Sequence, residues 1–245
     1  MQFALLTDIH GNAVALQAVL QDIKERGVDE VYCTGDLIGI GHQSNEVLQL
    51  LSALPHCEIV CGNHDEAALA IIEGQPYPKS HAGIRAHHEW LAARLDPALI
   101  PLLQQLPREI EKTIHTKRFL FTHYALKGKN MPFHEDPFAS IHQPSLENME
   151  KLFQAYPIYD CICFGHHHPT HVFENDKTMY INPGALGCNS PNKAKYAICT
   201  VDTAIHWTFI EVAYDGAAFI EQFKQTDIPD KDFILTSFHA EANKN

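Results

Sequence analysis

Histidine and carboxylate residues recur in short segments of this chain, each just after a run that reads as a β-strand. They are Asp8-Ile9-His10, Gly35-Asp36, Gly62-Asn63-His64-Asp65, Thr122-His123 and Gly165-His166-His167-His168. Aspartate, asparagine and histidine in that mixture form the ligand set of a site for two divalent cations, combining oxygen and imidazole donors. Taken alone, Asp8 reads as a turn residue and Asn63 as a helix N-cap. Order and placement favour chemistry over those readings, because every segment follows a strand and the donor types complement one another. The chemistry indicated is hydrolysis of a phosphate ester.

The elements that position these groups follow from periodicity. Residues 2–7 read as a buried strand. Asn12 suits an N-cap, and Leu16, Val19, Leu20 and Ile23 fall at helical spacing before Gly27. A second strand covers Glu30 to Thr34, with a helix near 44–53. A third strand, Cys57 to Cys61, runs into a helix from about 64. This βαβαβ rhythm predicts a parallel sheet, whose strand ends gather ligands at one edge. Residues two apart at a strand end can share a face, which would let Asp8 and His10 grip one ion, and His166 and His168 repeat that spacing. Helical segments interrupted by prolines are expected over 74–107, then strands near 109–115 and 118–122. A loop of about 20 residues, a helix near 145–155 and a strand at 160–164 come next. Three strands over 178–214 and a helix at 216–225 follow, and the tail after Thr226 is polar with no assigned element. With no repeat or low-complexity linker, 1–245 reads as a single α/β domain with a helical, cap-like elaboration at about 74–107.

Composition narrows the partners. Hydrophobic residues make up 45% of the chain, enough for a large core, and 30 acidic against 18 basic residues give a formal charge of −12. That balance disfavours an extended nucleic-acid surface. It does not exclude a small anionic substrate, since two divalent ions carry about +4 into the site. Seven cysteines without a CxxC pair, six of them in or beside apolar runs (Cys33, Cys57, Cys61, Cys161, Cys163, Cys199), read as buried free thiols. Together with no basic leader and no membrane-length apolar run, they point to a cytoplasmic protein.

The series Asp8-Ile9-His10-Gly11-Asn12, Gly35-Asp36, Gly62-Asn63-His64-Asp65, Thr122-His123 and Gly165-His166-His167-His168-Pro169 resembles the motif set of the calcineurin-like metallophosphoesterases. The likeness runs from residue 8 to about 187. Asp36-Leu37-Ile38-Gly39-Ile40-Gly41 and Asn182-Pro183-Gly184 resemble segments of the small bacterial and archaeal branch. The resemblance implies a two-sheet β-sandwich flanked by helices and two divalent ions, manganese, iron or zinc. By motif position, Asp8, His10 and His168 would hold one ion, and Asn63, His123 and His166 the other, with Asp36 bridging. It also implies in-line attack of a metal-bridging hydroxide, with His64 as general acid oriented by Asp65. Asn12, His42, His167 and Asn182 are candidates for substrate contact or support of the ligands.

Three positions depart from the family pattern: His167 between the paired histidines, Ile40 in place of an aromatic, and Ala185 where a serine is common. None removes a ligand, and all three bear on substrate choice. A small phosphoester or nucleotide is the expected substrate. Arg85 and His87 in the helical segment, with Lys127, Lys129 and His134 in the 125–144 loop, are expected to shape its pocket. The rival readings are a non-catalytic metal-binding scaffold of the same fold and a protein phosphatase. Gly39-Ile40-Gly41 is too incomplete for a dinucleotide-binding turn, and no GxxxxGK[ST] phosphate loop is present.

Overall fold

A computed structural model describes residues 1–28, 30–189 and 193–239. The first sheet contains β1 (Gln2–Leu6), β2 (Glu30–Cys33), β3 (Cys57–Ile59), β9 (Lys193–Val201) and β10 (Ile205–Ala213), in the order β10-β9-β1-β2-β3. The second contains β4 (Glu109–Ile114), β5 (Lys117–Thr122), β6 (Cys161–Cys163), β7 (His171–Glu174) and β8 (Met179–Asn182), in the order β4-β5-β6-β8-β7. Each sheet has a parallel trio, β1-β2-β3 in one and β5-β6-β8 in the other, flanked by antiparallel strands. The expected two-sheet α/β sandwich flanked by helices is the observed fold. Among the described residues, no helix is long and apolar enough to cross a membrane.

Strand alternation builds the layers. On β1, Phe3 and Leu5 face the partner sheet, while Ala4 and Leu6 face α1 (Ala13–Glu25) and α2 (Ser44–Ser52). On β5, Phe119 and Phe121 face inward, and Leu120 packs outward with Met149 of α6 (Leu146–Leu152). Phe3 meets Tyr32, Phe119, Phe121 and Trp207 edge-on at centroid distances of 5.0–5.8 Å. Such pairs each add about 0.5–1.5 kcal/mol beyond area burial, so the sheets lock around one ring. All seven cysteines are free, and all but the half-buried Cys57 are buried.

Local signals set the helix ends. Asn12 caps α1 by accepting from the Ala15 N–H, as its sequence position predicts. The helix α3 (Asn63–Ile72) begins directly after Gly62, where Asp65 accepts the Gly62 N–H in a capping arrangement. In the proline-interrupted segment, a 3₁₀ turn at Lys79–Ile84 leads into α4 (Arg85–Ala92) and then α5 (Ile100–Gln104). After β10 come α7 (Gly216–Lys224) and a further helix, α8 (Lys231–Phe238). The sequence reading lacks α8 and strand β7. The apolar side chains of α8, Ile234 and Leu235, pack on α7 together with Ile40, Ala185 and Cys188, contacts no local pattern announces.

Glycines allow the motif loops to close. A Cβ on Gly165 would collide with the Thr7 hydroxyl and come within 2.8 Å of Asp8 Oδ2, and one on Gly62 would strike the Asp36 carboxylate. Replacing Gly165 by alanine should therefore lower stability by about 1–3 kcal/mol, the usual cost of overpacking. Gly83, which has nothing within 4 Å of its would-be Cβ, is the matched control. Denaturant melts of both variants test this, and equal stabilities would refute the crowding argument.

Candidate metal centre

The parallel trios of both sheets end at the same edge, and the motif residues sit just beyond them. Asp8 follows β1, Asp36 follows β2, Asn63 opens α3 after β3, His123 follows β5 and His166 follows β6. The strand pleat does not place them, contrary to the sequence expectation. Asp8, His10, Asp36 and His166 have φ of 50°, 48°, 52° and 66°, the left-handed region that non-glycine residues rarely adopt. The ligand pairs therefore converge through tight turns. Backbone strain of about 1–3 kcal/mol per such residue is typical of functional sites.

The site contains two neighbouring groups that share Asp36. In one, His10 Nε2 lies 3.6 Å from Asp8 Oδ1, 3.7 Å from Asp36 Oδ2 and 3.1 Å from His168 Nε2. In the other, His123 Nε2 lies 3.2 Å from Asp36 Oδ2 and 3.1 Å from Asn63 Oδ1, and His166 offers a ligand atom within 4.8 Å of Asp36 and His123. Asp36 divides its labour. Its Oδ1 accepts the His64 N–H at the start of α3, at 2.9 Å, while Oδ2 faces both groups. Asp8 is held by the Thr7 hydroxyl and the His166 N–H.

The donor set fits cations. His123 Nδ1 lies 2.7 Å from the Thr34 carbonyl and so carries the ring hydrogen. In the neutral ring the opposite nitrogen is then a bare lone pair aimed at two oxygens, a repulsive arrangement that a positive ion between them resolves. Burial pushes His166 down to about 3 and His168 down to about 4, so both rings are neutral, the form that ligates. Burial also disfavours charge on His123, but the Asp36 carboxylate overrides it and pushes the ring up to about 9. Without an ion, a proton takes the cation's place.

The remaining predicted residues fall elsewhere. Asp65 is buried and does not orient the His64 ring. Its carboxylate accepts the backbone N–H groups of Leu37, Ile38 and Gly62, locking one motif loop to the other. Burial, with Asp36 adding to it, raises Asp65 to about 7. The ring of His64 is instead met by His88 of α4, 2.8 Å from its Nδ1. Asn12 is buried, capping α1 and bonding the Gly187 carbonyl. His42 packs against Phe219 and Phe223. Asn182 ties the carbonyls of Gly165 and His167, bracing the triple-histidine turn from behind. His167 lines the cavity beside His166 and His168. Of the pocket residues expected from the helical segment and loop, Lys127 lines a cavity next to Asn63. Lys129 pairs with Glu109, Arg85 pairs with Glu89, and His134 lies in a separate cavity with Arg108. His87 accepts the Ile40 N–H at 2.8 Å.

Sequence reasoning missed His81, His88, Cys188 and Phe238. His81 Nε2 is 3.4 Å from Asn63 Nδ2, and the Cys188 thiol comes within 4.8 Å of ligand atoms of His10 and His168. Phe238 packs beside His168 at 5.6 Å. Adjacent histidines at 87 and 88 are the one local signal that could have drawn attention. The others depend on distant packing.

The proton on His123 would make binding of a cation at this site pH-dependent. Its folded value of about 9 lies above the ordinary 6.5, so this proton stabilises the metal-free fold below 6.5, and that contribution is lost as pH rises through 9. A cation must displace it. Titrating the metal-free protein with zinc at pH 7.5 should release protons, and apparent affinity should rise with pH from about 6.5 to 9 before flattening. Calorimetry in buffers of different ionisation enthalpy reads the release, and none in that window would remove the proton from this site.

Comparisons with known proteins bear on the family and the fold. Residues 1–204 match the calcineurin-like phosphoesterase superfamily domain. An uncharacterized protein of Methanocaldococcus jannaschii is 28% identical over 244 residues, covering 93% of each chain. A symmetrical bis(5'-nucleosyl)-tetraphosphatase of Erwinia tasmaniensis is 40% identical over 76 residues, 30% of this chain and 28% of that protein. The metallophosphoesterase from Sphaerobacter thermophilus superposes with a TM-score of 0.73 at 24% identity, covering 98% of this chain and 99% of the other. A hypothetical protein from Pyrococcus horikoshii gives 0.76 at 20% identity, covering 98% of both. These two structures share the fold. With the domain match spanning most of its length, the chain belongs to the calcineurin-like phosphoesterase superfamily, a family of phosphoesterase hydrolases.

Proposed function

We propose that this protein is a dinuclear metallophosphoesterase acting on a small nucleotide-like phosphoester. The observation that carries the reading is His123 Nε2 set against oxygens of Asn63 and Asp36, with Asp36 Oδ2 also facing His10. Asp8, His10 and His168 would hold one divalent ion, and Asn63, His123 and His166 the other, with Asp36 shared. Manganese, iron and zinc all suit this mixture of donors. When bound, the pair would supply an activated water and positive charge for the phosphoryl oxygens.

The chain's own residues do the rest. Burial pushes the His64 imidazole well below its ordinary range, so the resting ring is neutral. With Nδ1 facing His88, its Nε2 remains to serve the departing oxygen as a hydrogen-bond donor that stabilises the charge developing there. Asp65 and the Gly62 turn hold the loops that aim it.

Two cavities favour an ester with two arms. One of about 250 Å³ includes His81, Lys127, Phe133 and Phe138, and another of about 350 Å³ includes Ile40, His64, His168 and Phe238. Both include Asn63 and His166. A phosphorus centred on those shared residues has room on either side, which suits a diester better than a monoester. Aromatic rings and a lysine in the first cavity suit a nucleobase and a further phosphate. The partial likeness to symmetrical bis(5'-nucleosyl)-tetraphosphatases supports a nucleotide in the same sense. A single domain over 1–245 with 74–107 as its cap, a cytoplasmic location and no extended nucleic-acid partner belong to this reading.

Replacing His64 by asparagine should leave metal content unchanged while turnover falls at least about a hundredfold, within the range for a general acid. An unaltered rate would remove His64 from the mechanism. Replacing Asp36 by alanine should cost occupancy at both metal positions, measured by elemental analysis, and two retained ions would disprove the shared ligand. Bound metal with no turnover across a panel of nucleotides, aryl phosphates and phosphoproteins would favour a scaffold instead.

A further inference from the structure

The helical segment supplies a chain of three side chains that ends on His64. His88 Nε2 is 2.8 Å from His64 Nδ1, and Tyr77 Oη is 2.6 Å from His88 Nδ1. His88 is fully buried on α4, whereas Tyr77 lies on the proline-rich run that leads to it. We infer that His88, backed by Tyr77, is a positioning residue that fixes His64 as the tautomer carrying its hydrogen on Nε2. This inference rests on the proposed role of His64 at the departing oxygen.

Hydrogen-bond directions follow from the distances. The Tyr77 hydroxyl has one hydrogen and two acceptors in reach: His88 Nδ1 at 2.6 Å and the His81 carbonyl at 3.5 Å. The shorter contact takes it, since hydrogen bonds weaken steeply beyond the ordinary range. His88 Nδ1 is then an acceptor. Burial first, then the neighbouring rings of His87 and His81, push His88 down to about 3. A neutral ring has a single N–H, so His88 carries it on Nε2 and donates it to His64 Nδ1. His64, having accepted there, holds its own hydrogen on Nε2. The opposite direction would leave a bare nitrogen facing the departing oxygen, with two lone pairs opposed.

Among the described residues, no nearer group competes for the task. The Asp65 carboxylate is committed to backbone N–H donors. Gly39 lies against the His64 ring, and a Cβ there would come within 2.7 Å of its Nδ1, so the adjoining loop contributes a wall and no partner. A second hydrogen-bonded partner that sets a catalytic imidazole's tautomer is a recurrent device, and its loss lowers turnover without displacing the ring.

The test compares His88→Leu, His88→Gln and Tyr77→Phe in the zinc-loaded protein. Long-range ¹H–¹⁵N correlation spectra, with the His64 signals identified through His64→Gln, should show Nε2–H at His64 in the unmodified protein. They should show a mixture of tautomers in His88→Leu, and Nε2–H again in His88→Gln, whose amide can donate to the same atom. On aryl phosphodiesters, His88→Leu should slow a phenyl leaving group by about ten- to a hundredfold. A p-nitrophenyl group, which leaves easily without help, should slow by less than about threefold. Tyr77→Phe should move both readouts the same way by a smaller factor. Metal content and melting temperature identify any variant that fails to fold, in which case Tyr77→Phe decides. An Nδ1–H tautomer at the start, a tautomer indifferent to both positions, or equal slowing of all esters would overturn the relay. The spectra report on it even if the protein proves inactive toward every ester, which would sink the phosphoesterase reading alone.

Discussion

A buried carboxylate shared between two clusters of imidazoles is the constraint on which the rest of the site depends. Removing a charge such as Asp36 from water costs several kcal/mol unless it is fully partnered. One oxygen is satisfied by the His64 N–H at the start of α3, where the helix dipole also favours negative charge. The other faces His10 and His123 and calls for positive charge between them. The same demand explains why His123 holds a proton so tightly in the metal-free state, and why Asp8, buried a few ångströms away, is pulled below the ordinary carboxylate range by the rings around it despite its burial.

The fold meets that constraint by bringing two parallel trios to one edge and ending each in a tight turn. Left-handed backbone at Asp8, His10, Asp36 and His166 turns side chains inward over very few residues. Gly62 and Gly165 allow those turns to touch neighbouring loops, with Asp36 and Asp8 filling the space a side chain would need. The aromatic lock around Phe3 holds the two sheets, and so the two halves of the ligand set, in one relative position. Strain at the turns persists because the sheets behind them are rigidly packed.

A second layer comes from segments outside the sheets. α4 brings His87 to the Ile40 backbone and His88 to the His64 ring. The 123–144 loop is tied to α3 by the ion pair between Arg108 and Glu66 and by the bond from Arg108 to the Met131 carbonyl, which keeps Lys127, Phe133 and Phe138 beside Asn63. α8 closes the opposite side with Phe238. These pieces shape the two cavities, whereas the sheets set the histidine and aspartate clusters between them.

The sequence by itself determined the donor types, their order and the strands that carry them. Each motif is a local pattern, and a residue just after an apolar strand is confined to the sheet edge whatever the rest of the chain does. The N-cap at Asn12 and the parallel order of the first three strands were legible for the same reason. Tertiary structure alone decided the turns that aim the ligands, since positive φ at Asp8 or Asp36 has no sequence signature of its own. It also decided that Asp65 serves the backbone while His88 serves His64. Adjacency in the chain suggested the opposite pairing. Asp65 lies in the first turn of α3 within reach of unpaired N–H groups, which outcompete the neighbouring ring, and His88 arrives from a helix 24 residues away in the chain.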